Sequence, residues 1–201
     1  SENKMTRLLK RRNAIERVHP YKPGKVQLMT ANLDKLLIVF SCNEDYNESR
    51  IERFLTLATS NNIEPVLVLT KADLTDQSDW YETRTRTLTS CKIYLINATN
   101  DGDCEKLREY LLFGETTALI GSSGVGKSTI VNSLFKHDVQ KTQSVRMSDS
   151  KGRPTTTSRS LHILPNGALI IDSPGIREIA LVDEHVDLAS SFNDILELAR
   201  Q

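Results

Sequence analysis

Thr117-Ala118-Leu119-Ile120-Gly121-Ser122-Ser123-Gly124-Val125-Gly126-Lys127-Ser128-Thr129 is an apolar run that empties into a glycine loop, and Ile130, Val131 and Leu134 follow with helical spacing. The loop is a full match to G-x-x-x-x-G-K-[ST], with the strand before it and the helix after it that the pattern requires. Glycines let backbone N–H groups turn inward around phosphate oxygens, and a helix N-terminus adds its partial positive charge. Lys127 is placed to reach the β- and γ-phosphates of a nucleoside triphosphate, and Ser128 to offer its hydroxyl to Mg²⁺. Gly121, Ser122, Ser123, Gly124, Val125, Gly126 and Thr129 complete the expected phosphate-binding segment.

Upstream, short apolar runs alternate with helical patterns. Leu36 to Phe40, Pro65 to Leu69 and Ile93 to Ile96 read as strands. Between them, Ile51, Phe54, Leu55 and Ala58 mark one helix face, a weaker polar helix is expected near Ser78 to Thr89, and Leu107, Tyr110 and Leu111 mark a third. Strands apolar on both faces and separated by helices imply a parallel sheet. The fold class is therefore α/β, a mostly parallel sheet with helices on both faces. Downstream, residues 136 to 160 are polar and read as a loop. Leu161 to Leu164, the turn at Pro165-Asn166-Gly167 and Ala168 to Ile171 then form a hairpin. A final amphipathic helix carries Phe192, Ile195, Leu196 and Ala199.

The composition fits one globular domain with appendages: 201 residues, 38% hydrophobic and 26% charged. Twenty-six Lys and Arg balance twenty-six Asp and Glu, so net charge does not select nucleic acid or a membrane. The apolar runs are too short to span a bilayer. Three cysteines without a C-x-x-C pair indicate a reduced, cytoplasmic protein without a disulfide framework. Residues 1 to 25 are locally basic, eight Lys and Arg against two Glu, and read as a tail or linker. His162 alternates with apolar neighbours and reads as an outward-facing strand residue. Trp80 and Tyr81 read as helix-face packing in preference to an RNA-stacking pair.

Three further motifs sit at predicted strand ends. Asp172-Ser173-Pro174-Gly175 closes Ala168 to Ile171; there Asp172 can hold Mg²⁺ through water while the Gly175 N–H meets the γ-phosphate. Thr70-Lys71-Ala72-Asp73 follows Leu69. A carboxylate at Asp73 can accept from guanine N1–H and N2–H₂, and adenine would leave it unpaired. Asn97-Ala98-Thr99 follows Ile96, where the Ala98 N–H can meet guanine O6. Each lies at the carboxyl end of a strand, where parallel α/β sheets bind ligands. Together they compose a guanine-nucleotide site. Their order is that of a Ras-like chain circularly permuted: base loops first, then the glycine loop at 121, then D-x-x-G at 172. Permutation is tolerable because domain termini usually lie close together at the surface.

In these residues the chain resembles the RsgA/YjeQ family of circularly permuted GTPases. The resemblance is carried by Asn32-Leu33-Asp34, Thr70-Lys71-Ala72-Asp73-Leu74, Gly121 to Ser128, Thr155-Thr156-Thr157 and Asp172-Ser173-Pro174-Gly175-Ile176-Arg177-Glu178. Ser123-Gly124-Val125-Gly126 is similar to this family rather than to YlqF-type proteins. The resemblance runs from about Arg11 to the end. It implies a P-loop GTPase of late small (30S) ribosomal subunit maturation, using GTP and Mg²⁺, with the subunit and its rRNA as partners and no membrane partner; a monomer is expected. It also implies flanking OB-fold and zinc-binding domains. Residues 1–30 are then the basic linker leaving the first, 31–183 the GTPase domain, and 184–201 a C-terminal helix leading to the second; zinc is expected only in that second domain.

Within this resemblance, Lys127, Thr156, Asp172 and Gly175 are the expected catalytic group, and Ser128, Thr156 and Asp172 the expected Mg²⁺ contacts. Thr156 is chosen from Thr155–Thr157, whose register the sequence leaves open. Thr70 stands where many GTPases carry Asn, which implies the loss of an amide that bridges the base to the P-loop, and a modest affinity. Pro154 replaces the His that often precedes the threonine run, and Ile176 follows Gly175 where Ras-like chains have Gln. No residue for aligning water is therefore evident, and slow intrinsic hydrolysis stimulated by the subunit is expected. Arg146, Arg153, Arg159 and Arg177 are candidate charge-stabilising fingers, each more readily read as a solvated arginine. Two other readings remain: a nucleotide-dependent binding module with incidental hydrolysis, and an ATP-using P-loop enzyme.

Overall fold

The structure is a computed structural model that describes residues 10–18, 25–135 and 160–172. Its centre is β3 (Lys35–Ser41), seven residues long and buried throughout. β3 pairs in parallel with β4 (Glu64–Thr70) on one side and with β6 (Thr116–Ile120) on the other. β5 (Lys92–Leu95) extends the sheet beyond β4, and β8 (Leu169–Asp172) beyond β6. β7 (Ser160–Ile163) closes that edge as the only antiparallel strand of the six, giving the order β5-β4-β3-β6-β8-β7.

Side chains alternate across β3 and so feed two cores. Leu36, Ile38 and Phe40 face α1 (Glu48–Ser60), whose Ile51, Phe54 and Ala58 supply its buried stripe, and α2 (Ser78–Leu88) packs on the same side through Tyr81 and Leu88. Leu37 and Val39 face α3 (Asp101–Tyr110) and α4 (Lys127–Phe135) through Leu107, Ile130 and Leu134. Asn47 and Asn100 cap α1 and α3 by accepting backbone N–H groups of their first turns, the usual role of a short polar side chain there. Helices on both faces of a largely parallel sheet match the expected fold class. All three cysteines are free thiols; burial pushes Cys42 up to about 11 and raises Cys104 as well.

Two sequence readings are corrected. Part of the stretch read as a linker is a hairpin: β1 (Ala14–Val18) pairs antiparallel with β2 (Val26–Ala31), and Ile15 and Met29 enter the α1-side core. Strands this short bury too few residues for a period of two to stand out. His162 points inward, not outward. Its ring meets Phe135 edge-on at 5.7 Å, while Leu161 and Ile163 are 60% and 67% exposed. Register decides this, because His162 lies opposite the core residue Ile170 on β8. Trp80 and Tyr81 do pack, T-shaped against each other and Tyr46.

The hairpin is fastened at the amino edge of the sheet. Asn13 exchanges hydrogen bonds with the Leu33 backbone at 2.7 and 2.9 Å, and Arg12 pairs with Asp34 at 2.8 Å. The other Asp34 oxygen accepts the Thr116 N–H at 2.8 Å, at the start of β6. Burial raises the Asp34 pKa, but Arg12 and the Thr116 amide outweigh it and hold the carboxyl below its ordinary value. Asn32-Leu33-Asp34 thus joins the hairpin, β3 and β6.

Candidate nucleotide site

Because β3, β4, β5, β6 and β8 run in parallel, the segments that follow them emerge along one edge. Thr70 to Asp73 leaves β4, Asn97-Ala98 leaves β5, residues 121–126 leave β6, and Asp172 ends β8. Thr155 to Thr157, Gly175, Ile176 and the four candidate arginines lie outside the described residues, as does the side chain of Asp172.

The glycine loop turns directly against β3. Gly121 has φ +151°, and a Cβ there would sit 2.2 Å from the Val39 carbonyl oxygen. Only glycine fits that approach. Val125 anchors the far side of the loop in the α3/α4 core at 1% exposure. Lys127 begins α4 and is buried; its Nζ donates to the Gly121 carbonyl at 2.7 Å and to the Ser122 carbonyl. The ammonium therefore sits inside the curl of the loop, where phosphate oxygens can compete for its protons. The Ser122 hydroxyl oxygen is buried with no hydrogen-bond partner among the described residues. A buried hydroxyl left unpaired is costly unless a ligand completes it. With a nine-residue helix opening at Lys127, these features fit a bound phosphate chain. Ser128 and Thr129 occupy the first turn of that helix, half-buried.

The base loop is tied to this cradle. Thr70 is fully buried, and its hydroxyl approaches the Val125 carbonyl at 2.6 Å and the Phe40 carbonyl at 3.2 Å. Without the asparagine amide, this loop is still linked to the P-loop by a hydroxyl, because Thr70 lies deep enough for its shorter side chain to reach. Thr70→Val should leave the Val125 carbonyl without its donor and lower stability by about 1–2 kcal/mol. Nucleotide affinity should fall about tenfold; denaturant melts and titration with fluorescent GDP check both.

Lys71 then adopts a left-handed conformation, φ 58°, uncommon for a residue with a Cβ. It turns the chain into a short 3₁₀ segment, Ala72–Leu74, on which Asp73 is exposed. No cationic partner holds Asp73 among the described residues. In the neighbouring loop the Asn97 N–H donates to Asp103 at 2.9 Å, and the Asn97 carboxamide oxygen accepts the Thr99 N–H at 2.9 Å. Ala98 is buried, and its carbonyl accepts the Ser133 hydroxyl of α4 at 2.7 Å. Sequence reading missed Thr70 as a link between the two loops and Ser133 as a link from α4 to the Ala98 loop. A hydroxyl residue carries no signal in the sequence of which distant carbonyl it bonds. No group of three or more His, Cys, Asp and Glu side chains placed to hold a metal occurs among the described residues, and none of their helices is long and apolar enough to cross a membrane.

A doubly covered parallel sheet with a glycine loop, a helix N-terminus and a carboxylate-bearing base loop along one edge defines the P-loop class of nucleotide-binding proteins. The model of the RsgA GTPase family matches residues 8–182, and the chain belongs to that family. It is 43% identical over 200 residues to small ribosomal subunit biogenesis GTPase RsgA 2 of Vibrio vulnificus, covering 99% of this chain and 57% of the relative. Against the RsgA of Methanosarcina acetivorans it is 42% identical over 194 residues, covering 96% and 53%. Among solved structures, YjeQ from Thermotoga maritima superposes with a TM-score of 0.61 at 27% identity, over 87% of this chain and 55% of that one. YloQ, described as a circularly permuted GTPase, superposes at 0.52 with 21% identity over 86% and 58%, which supports the fold. The chain spans a little over half the length of the curated relatives it matches.

Proposed function

We propose that this chain binds and hydrolyses GTP in late maturation of the small ribosomal subunit, acting as a monomer in the cytoplasm and contacting the subunit's rRNA. The observation that carries the nucleotide reading is the Thr70–Val125 hydrogen bond, which joins the purine-reading loop to the phosphate loop. The ribosomal role rests on the names of the relatives.

In this reading residues 31–183 handle the nucleotide, 1–30 lead in and 184–201 lead out. Backbone N–H groups of 121–126 and the Lys127 ammonium take the phosphate oxygens. Asp73 accepts from guanine N1–H and N2–H₂, the Ala98 N–H donates to O6, and Lys71, Thr70 and Asn97 shape the two loops. Mg²⁺, when bound, would be held by the Ser128 hydroxyl with Thr156 and Asp172 and would neutralise charge on the β- and γ-phosphates. Gly175 supplies an N–H toward the γ-phosphate. Positioning and charge neutralisation are most of what phosphoryl transfer asks of a protein.

With Ile176 and Pro154 offering no polar group to align water, turnover by the isolated chain should be slow, and purified small subunits should accelerate it. Phosphate release with and without subunits measures this. Fast steady-state turnover without subunits would remove the proposed role of the partner.

A further inference from the structure

The residue expected to read guanine O6 is anchored from both sides. On its amino side, the Asn97 N–H is tied to Asp103 and the Asn97 carboxamide oxygen to Thr99. On its carboxyl side, the Ala98 carbonyl accepts the Ser133 hydroxyl at 2.7 Å and, more weakly, the Cys104 thiol at 3.6 Å. Between these anchors, the Ala98 N–H has no acceptor among the described residues. Asp103 and Cys104 stand on α3, which begins directly after the loop. Ser133 stands on α4, six residues beyond Lys127.

Ser133 is itself held in place. Arg108 of α3, 5% exposed, donates through Nη2 to the Ser133 carbonyl at 2.6 Å and through Nε to the Leu134 carbonyl at 3.0 Å. It thus occupies two of the carbonyls that a helix end leaves without intrahelical partners. The helix that presents Lys127 to the phosphates therefore also sets, near its far end, the backbone torsion of the residue that faces the base. A hydrogen-bond donor fixed before its ligand arrives loses little freedom on binding.

We propose that Ser133 is a positioning residue for purine selection, its hydroxyl holding the Ala98 carbonyl so that the Ala98 N–H is aimed at the 6-position of the base. This rests on the guanine-site reading above. The test uses the full chain and competition of GDP, inosine diphosphate and 6-thioguanosine diphosphate against a fluorescent GDP. Inosine lacks the 2-amino group that Asp73 would read; the thio analogue replaces O6 alone with a poorer acceptor.

Wild-type protein should favour GDP over both analogues. Ser133→Ala should erase most of the preference over the thio analogue, lowering GDP affinity about tenfold, the worth of one good hydrogen bond. Its preference over inosine diphosphate should stay within about twofold of wild type, within ordinary mutational scatter. Ser133→Thr, which keeps the hydroxyl, should retain both preferences. Ser133→Cys keeps the volume with a weaker donor and gives an intermediate thio preference, so the question is answered even if alanine disturbs folding. The inference is overturned if the wild type prefers GDP over both analogues yet Ser133→Ala changes neither ratio or erodes both equally. Absence of any wild-type preference over inosine diphosphate would instead remove the underlying assignment of Asp73.

Discussion

Asp73→Asn should exchange guanine selectivity for xanthine selectivity. Asp73 is exposed on the short 3₁₀ segment that the left-handed Lys71 sets up, and none of the described cations engages it. Its carboxylate is thus free to take both donors of the guanine edge. An asparagine puts an amide donor where one of the carboxylate's acceptor oxygens was, and that donor meets xanthine's O2 instead of a guanine N–H. A site built to hydrogen-bond one polar edge rejects the wrong edge by about 10⁴-fold. GTP affinity should therefore fall by about three to four orders of magnitude while xanthosine triphosphate gains by a comparable factor. Competition binding of the two triphosphates to wild type and variant measures the swap, and unchanged GTP affinity would discard Asp73 as the base-reading residue.

Lys127→Ala has the second large expected effect. Lys127 is 8% exposed and its ammonium is held by two carbonyls of the loop it serves, so little motion separates its resting contacts from phosphate oxygens. Removing it takes a fixed positive charge from a sheltered site where charge develops, a loss of about 10²- to 10³-fold in kcat/KM. The Thr70–Val125 and Ser133–Ala98 links do not pass through the lysine side chain. Guanosine should accordingly bind the variant nearly as well as wild type while GTP binds much more weakly. Turnover assays and paired guanosine and GTP titrations separate these outcomes; kcat/KM within threefold of wild type would contradict the placement.

How much of this was legible in the sequence differs by element. Five of the six sheet strands announce themselves as unbroken apolar runs, because parallel strands covered on both faces have no polar side to show. The hairpin of β1 and β2 escaped notice because its described buried positions, Ile15, Met29 and Thr30, are few and two of them are adjacent, so no alternation shows. The facing of β7 was misread for a related reason. Its phase is set by pairing with β8, and pairing is not a property of four residues in isolation. The site shows the same division. The glycine loop and Asp73 carry constraints written in local residue types: a positive φ, a lysine, a carboxylate at a strand end. Thr70 and Ser133 act through hydrogen bonds to Val125 and Ala98, 55 and 35 residues away, and only the folded chain brings those partners together.

The sheet order has a consequence for synthesis. β3, β4 and β5 are contiguous in the chain and adjacent in space, whereas β6 reaches β3 only across some eighty residues, with Leu37 opposite Leu119. Contacts local in sequence form first because closing long loops is slow. Translation releases the half proposed to read the purine before the glycine loop exists, so a nascent chain presents the bare flank of β3 until β6 emerges and docks. Nucleotide can take no part in folding that first half; it can only consolidate the protein once the second half has closed onto a template already laid down.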